Sequence, residues 1–251
     1  MGDNMHLLVT ILGLCIGSFL NVVIYRVPRD ESISYPPSHC TNCGYKLRPI
    51  DLVPIISYLF LRGRCRSCKE NISIQYPFIE FLNGLMYLLL FIKFNISLEF
   101  LFYAIFTSCL IVISVIDIKS KDVYSSISIF TLIIAVIYLL SGKYFGDISL
   151  INNVIGGIIG YGVIFLFVYF GGMGEGDADI AGLSGLFIGI KGICGALFIS
   201  VIIAGIVASY KYLIKKERKA EMAFTPYIAL GTIVWILVGE KLLEVYLNIF
   251  L

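Results

Sequence analysis

The chain has 251 residues, of which 59% are hydrophobic and only 14% charged, and its mean hydropathy is +0.92. Soluble domains carry roughly 45–50% apolar residues, so this composition excludes an ordinary soluble domain and assigns the chain to a lipid bilayer. A formal net charge of +2, without a long basic or acidic tail, gives no support to nucleic acid as a partner.

In chain order, the opening stretch MGDNMHLLVTILGLCIGSFLNVVIYRVPR has no cationic start before its apolar run and no small-residue cleavage site, so residues 1–27 read as a retained first span. Residues 28–75 are polar and proline-punctuated, and they carry Cys40 and Cys43 in CTNC and Cys65 and Cys68 in CRSC. Paired Cys-x-x-Cys knuckles can close a tetrahedral thiolate cage around structural zinc. The rival is a pair of disulfides, which a reducing compartment disfavours. Arg64 and Arg66 beside the second knuckle favour thiolates. A segment this short buries too little core to fold securely by itself, which makes the metal a staple rather than a reaction centre. Cys15, Cys109 and Cys194 stand singly in apolar runs and read as small fillers.

Residues 76–251 hold the remaining apolar segments, near 76–95, 98–117, 126–141, 149–171, 180–190, 193–213 and 226–247. Each approaches the ~20 residues a bilayer core requires, although the segments at 126–141 and 180–190 are short. The reading is an all-α polytopic membrane protein of about eight transmembrane helices with a small cytoplasmic zinc-binding loop domain. With the N-terminus outside, the loops at 26–75, 118–125, 172–179 and 214–225 face the cytoplasm. Those loops and the adjoining Lys211 hold all the Lys and Arg residues except Lys93, Lys143, Lys191 and Lys241. This is the bias expected of cytoplasmic loops.

Two aspartates then stand out. Asp117 directly follows the apolar run LIVISVI, and Asp177 lies in GMGEGDADIAG, so the eight-span threading puts both at the cytoplasmic boundary. Ionisable residues at such depth are costly and are paired or functional. Asp122, Glu175, Glu217 and Glu221 read instead as acids at helix ends, a role open to Asp177 as well. Two aspartates brought together can share a proton, one activating water as base and the other acting as acid toward a carbonyl oxygen. Gly171, Gly172, Gly174 and Gly176 allow close approach of another backbone, as a bound extended peptide requires. A phosphate-binding P-loop would end in Lys followed by Ser or Thr, whereas this loop ends in acid.

GLCIGSFLNVVIYRVPR, CTNC, LRGRCRSC, YPFIEFL, VIDIKSKDV and GMGEGD, in that order, resemble the type IV prepilin peptidases over nearly the whole chain. The resemblance implies a polytopic GxGD-type aspartic peptidase of the bacterial cytoplasmic membrane, with its site and zinc loop facing the cytoplasm. It implies removal of a short basic leader from prepilins or pseudopilins after a glycine. It also implies N-methylation of the new terminal residue with S-adenosylmethionine. Carried onto this sequence, the catalytic pair is Asp117 and Asp177, 177 − 117 = 60 positions apart, with Gly174 and Gly176 as motif glycines and the four cysteines as zinc ligands. Many members continue the motif as GxGD-x-K, whereas Asp179 occupies the Lys position here, leaving a third acid as a possible substitute for Asp177. No cofactor fingerprint marks the methyltransferase, whose seat the resemblance implies between Arg26 and Glu80. Gly63 is the candidate cofactor contact, against a plain turn role.

Two other classes compete. A membrane assembly factor would use the zinc loop only to bind a partner and would tolerate loss of Asp117. A transporter would use the carboxylates as an ion relay, and none of the assigned spans has an acid at its centre.

Overall fold

The computed structural model describes residues 2–145, 149–213 and 222–250. The expectations for Lys215, Lys216, Glu217, Arg218, Lys219 and Glu221 lie outside these residues. The described residues are almost all helical, with no strand beyond two isolated bridges in the loop. The helices are α1 (Gly2–Arg26), α2 (Ile56–Phe60), α3 (Gln75–Phe94), α4 (Leu98–Ser120), α5 (Ser125–Phe145), α6 (Leu150–Tyr169), α7 (Glu175–Leu213) and α8 (Thr225–Phe250). Six of them, α1 and α3 to α7, are long and apolar enough to cross a membrane. The chain divides into two compact units, residues 1–112 and 113–251, the division falling within α4.

In the first unit α1 packs on α3 through small residues. A side chain at Gly13 or Gly17 would collide with Tyr87, Gly84 or Glu80, and one at Gly84 would collide with Leu14. Such glycines let helix backbones approach, as the absence of a hydrophobic drive between helices in lipid requires. The close approach brings polar groups together. Asn83 donates to the Gly13 carbonyl at 2.7 Å, Asn21 donates to the Tyr76 carbonyl at 3.1 Å, and the Ser108 hydroxyl donates to Asn83 at 2.9 Å. Pro28 ends α1 as its ring demands. The buried Arg26 then holds the following chain through the Ser32 and Pro36 carbonyls.

In the second unit α6 and α7 meet backbone to backbone. Gly156 lies against Gly185 and Gly189, Gly160 against Ala181, and Gly157 against the Leu186 side chain. α6 ends in a Schellman motif, in which Gly172 N–H reaches the Phe167 carbonyl at 2.9 Å, Gly171 N–H reaches that of Val168 at 2.8 Å, and Gly171 adopts φ +74°. α7 is two helical arms joined at Gly189, whose φ of 68° and ψ of −173° interrupt the helix. The interruption frees carbonyls, and Asn153 of α6 donates to those of Leu186 (2.9 Å) and Phe187 (3.3 Å).

The break differs in detail from the sequence expectation, which separated runs 180–190 and 193–213. The first arm begins earlier, at Glu175, because the acids after Gly174 are good first-turn residues rather than loop. Side chains favour neither the Gly189 backbone conformation nor its contact with Asn152. Gly189→Ala should therefore lower stability by roughly 1–3 kcal/mol, read as a lower unfolding midpoint of the purified detergent-solubilised protein. Gly205→Ala, in the second arm with open space around it, should leave the midpoint unchanged or raised. Equal midpoints for Gly189→Ala and the parent would refute this account of the break.

Candidate active site and metal centre

Three chain segments of the second unit build an acidic site. The first is the end of α4, where Asp117 is buried with Oδ2 unpaired. The second is the start of α7. Gly174 caps that helix, so Asp177 falls at its third position and reaches back to accept the Gly174 N–H on Oδ2 at 3.2 Å. That is half of a capping box, with an aspartate in the place of the usual Glu or Gln. The third is the start of α8, where the fully buried Thr225 precedes Pro226 and donates its hydroxyl proton to Asp177 Oδ1 at 2.6 Å. Asp117 lies within electrostatic range of both Asp177 and the Thr225 hydroxyl.

Gly176 explains how the first two segments meet. A Cβ there would fall on the Val123 side chain, just past the end of α4, so only glycine lets the α7 start close on this connection. Asp179 is exposed whereas Asp177 is buried, since two positions along a helix point to opposite sides. Glu175 and Asp122 are also exposed.

An ion pair lies elsewhere, between Arg66 and Asp51, and neither Asp117 nor Asp177 forms one with a described residue. Asp117 and Asp177 are therefore not the anionic halves of structural salt bridges. Thr225 escaped sequence reasoning. The Thr-Pro pair was a legible helix start, but nothing local announces that its hydroxyl meets an aspartate 48 positions away.

In the first unit the two cysteine knuckles share one backbone pattern. Cys40 N–H bonds the Tyr45 carbonyl and Gly44 N–H the Cys40 carbonyl, both at 2.9 Å. Correspondingly, Cys65 N–H bonds the Glu70 carbonyl at 2.8 Å and Lys69 N–H the Cys65 carbonyl at 3.1 Å. Gly44 and Lys69 both take positive φ, and the bridges His39 to Lys46 and Arg64 to Asn71 flank the turns. The four Sγ atoms all lie within 4.8 Å of one another, with Cys40–Cys68 at 3.8 Å and Cys43–Cys65 at 4.0 Å.

Tetrahedral zinc with Zn–S of ~2.3 Å would space its sulfurs about 3.8 Å apart. A disulfide would require ~2.05 Å, and all seven cysteines are free. The donor set thus fits zinc. The backbone amides of Cys68 and Ser67 lower the Cys65 thiol to about 7, and the Tyr45 amide lowers Cys43. Cys68, although the Glu70 amide pulls it down, is pushed up to about 11 by burial and the facing thiols, as expected where several thiolates crowd without a cation.

Asp51 ties the knuckles together. It accepts from Arg66 Nε at 2.7 Å, the Arg48 amide at 3.1 Å and the Tyr45 hydroxyl at 3.4 Å. Although burial raises its carboxyl, the Arg66 hydrogen bond and these neighbours hold it below the usual range. Glu80 of α3 accepts the Ile55 amide at 2.7 Å, anchoring a β-branched residue at φ 59°. Gly63 takes φ +67° in a turn closed by its N–H to the Tyr58 carbonyl, and a Cβ there would crowd the Tyr58 hydroxyl. The turn alone accounts for a glycine at that position.

Comparison with known proteins agrees with these features. Residues 11–94 match the bacterial peptidase A24 N-terminal domain, and residues 104–209 match the type IV leader peptidase family. The chain is 33% identical over 248 residues to the prepilin leader peptidase/N-methyltransferase of Bacillus subtilis, covering 96% of this chain and 97% of that one. It is 34% identical over 255 residues to that of Neisseria gonorrhoeae, covering 89% and 87%. It is 30% identical over 266 residues to that of Pseudomonas putida, covering 94% and 91%. No solved structure gave a match. The chain belongs to the prepilin leader peptidase/N-methyltransferase family, a family of peptidases.

Protein purified without chelator should carry one zinc per chain. Cys40→Ser or Cys65→Ser should lose it and expose the 28–75 loop to proteolysis, while a strong chelator should do the same to the parent. Metal analysis finding no zinc, with thiol titration finding all four cysteines oxidised, would replace the cage with disulfides.

Proposed function

We propose that this chain is an aspartic endopeptidase working at the membrane boundary, with Asp117 and Asp177 as its catalytic pair. It removes the short basic leader of a prepilin or pseudopilin after a glycine. The observation that carries this reading is the burial of two aspartates with no cation among their described partners, beside one hydroxyl. Buried carboxylates are expensive unless paired or used, and here only neutral donors attend Asp177 while Asp117 Oδ2 has no partner among the described residues. One carboxylate removes a proton from water as the water attacks the scissile carbonyl, and the other protonates the carbonyl oxygen. Collapse of the tetrahedral intermediate returns a proton to the departing amine.

The eight-span reading supports the location. The break at Gly189 lets α7 make two passes, and α8 adds another to the six candidates. Residues 175–188 rise only about 20 Å at 1.5 Å per residue, less than the ~30 Å hydrocarbon core. An apolar substrate helix can then stay in the bilayer while its leader junction meets the acids. Threading by basic residues puts the site and the 28–75 loop on the cytoplasmic side of a bacterial inner membrane, with zinc as the loop's structural staple.

The chain also N-methylates the new terminus, S-adenosylmethionine supplying the methyl group. The loop between Arg26 and Glu80 would hold it. A pocket next to Gly63, lined by Phe60, Leu61, Arg62, Arg64 and Lys69, offers an aromatic face and cations suited to its adenine and carboxylate.

Asp117→Asn and Asp177→Asn should each abolish leader removal from a co-expressed prepilin, scored by mass spectrometry, while the protein still accumulates in the membrane. Asp179→Asn should keep much of the activity. Cleavage at the parental rate by either of the first two variants would favour the assembly-factor reading, and an inactive Asp179→Asn beside an active Asp177→Asn would move the assignment.

A further inference from the structure

The Thr225 hydroxyl has only one proton to give. Thr225 Oγ1 spends it on Asp177 Oδ1 at 2.6 Å, and the Gly174 amide donates to Oδ2 at 3.2 Å, so Asp177 receives a donor on each oxygen. That arrangement satisfies a carboxylate and offers nothing to a carboxylic acid O–H. Asp117 is buried as well, and its Oδ2 has no hydrogen-bond partner among the described residues. A hydroxyl has one donor and two acceptor lone pairs. Thr225 commits its proton to Asp177, whereas a buried carboxyl with an unpaired oxygen and no cation beside it is better accommodated as the neutral acid.

We propose that Thr225 is a positioning residue that fixes the division of labour in the acid pair, with Asp177 resting as the carboxylate and Asp117 as the carboxylic acid. This deepens the peptidase reading and rests on it. In the forward step water loses a proton to Asp177 as its oxygen bonds to the scissile carbon, and Asp117 passes its proton to the carbonyl oxygen. In breakdown the C–N bond breaks, Asp177 gives its proton to the departing amine, and a hydroxyl of the intermediate returns a proton to Asp117. Both acids finish as they began, so the cycle needs no outside proton.

A threonine suits the position. It is fully buried at the start of α8 with its hydroxyl on Asp177, and the Pro226 ring restricts its backbone. Valine keeps that shape without the hydroxyl, whereas serine keeps the hydroxyl without the methyl.

The test measures cleavage of a synthetic prepilin peptide with a basic leader by purified detergent-solubilised variants. Thr225→Val should lower kcat roughly 10- to 100-fold, the scale of one lost hydrogen bond to a charged group, with KM within about twofold of the parent. Thr225→Ser should recover most of kcat. A Thr225→Val enzyme with parental kcat, one altered only in KM, or a Thr225→Ser enzyme as impaired as the valine variant would overturn the proposal.

Should Thr225→Val not accumulate, infrared spectroscopy of the resting enzyme decides. A protonated-carboxyl stretch lost in Asp117→Asn and kept in Asp177→Asn supports the assignment, and the reverse refutes it. Failure of the underlying reading looks different, because Asp177→Asn itself would then still cleave.

Discussion

The contact between α6 and α7 is made by backbone, and the acidic site depends on it. Gly156, Gly160 and Gly185 have no side chains to hold the helices apart, so the two axes close to a distance at which Asn153 can reach carbonyls of its neighbour. That reach makes the break at Gly189 tolerable. In a bilayer a freed carbonyl has no water to turn to, and an interrupted helix without Asn153 would leave such groups bare. The break in turn makes the first arm of α7 short, which sets how far Asp177 stands from the break. Small residues, a buried amide and a glycine with positive φ thus form one chain of cause ending at a carboxylate.

At that end the same device recurs on a smaller scale. Gly176 lets Val123 press onto the α7 start, and Gly174 supplies an amide rather than a side chain to Asp177. The GMGEGD motif is therefore a packing and hydrogen-bonding arrangement in its own right. The capping role expected of an acid near a helix start is real for Asp177, but it occupies one oxygen. The other oxygen is engaged by Thr225, which belongs to no capping arrangement of α7. A residue serving only as a cap would face water, as Glu175 and Asp179 do. Burial together with a partner from a distant segment separates Asp177 from the acids around it.

Much of this was legible in the chain itself, for reasons that differ by feature. Membrane-length helices announce themselves because apolar composition is a property of each segment alone, and the ends of α1 and α8 are marked by Pro28 and Pro226. The four thiols were legible because knuckle spacing is local. The partner of Asp177 was not, since a lone threonine beside a proline reads as a helix start whether or not its hydroxyl is used. The exact position of the α7 break was also hidden. Four glycines at 182, 185, 189 and 192 stand within eleven residues, and only the partner helix selects the one that turns. Gly63 shows the opposite limit, because a glycine that closes a turn has the same sequence signature as one that makes room for a ligand.

Each of the two units holds one chemical assembly in full. All three groups of the acidic site come from residues 113–251, and the four thiols, with the Asp51–Arg66 pair that joins their knuckles, come from residues 1–112. Most apolar side chains of the loop are exposed and contribute no core, so its order falls to a few polar ties such as Glu80 to Ile55 and to the metal its four thiols would hold. The acidic site gains its order from helix packing, which owes nothing to a metal. Loss of zinc should therefore disorder a segment rather than the chain, and the physical basis for peptide cleavage does not require the thiols. A methyl transfer seated in the loop would be separable from cleavage for the same reason, because the forces that build the two sites are different in kind.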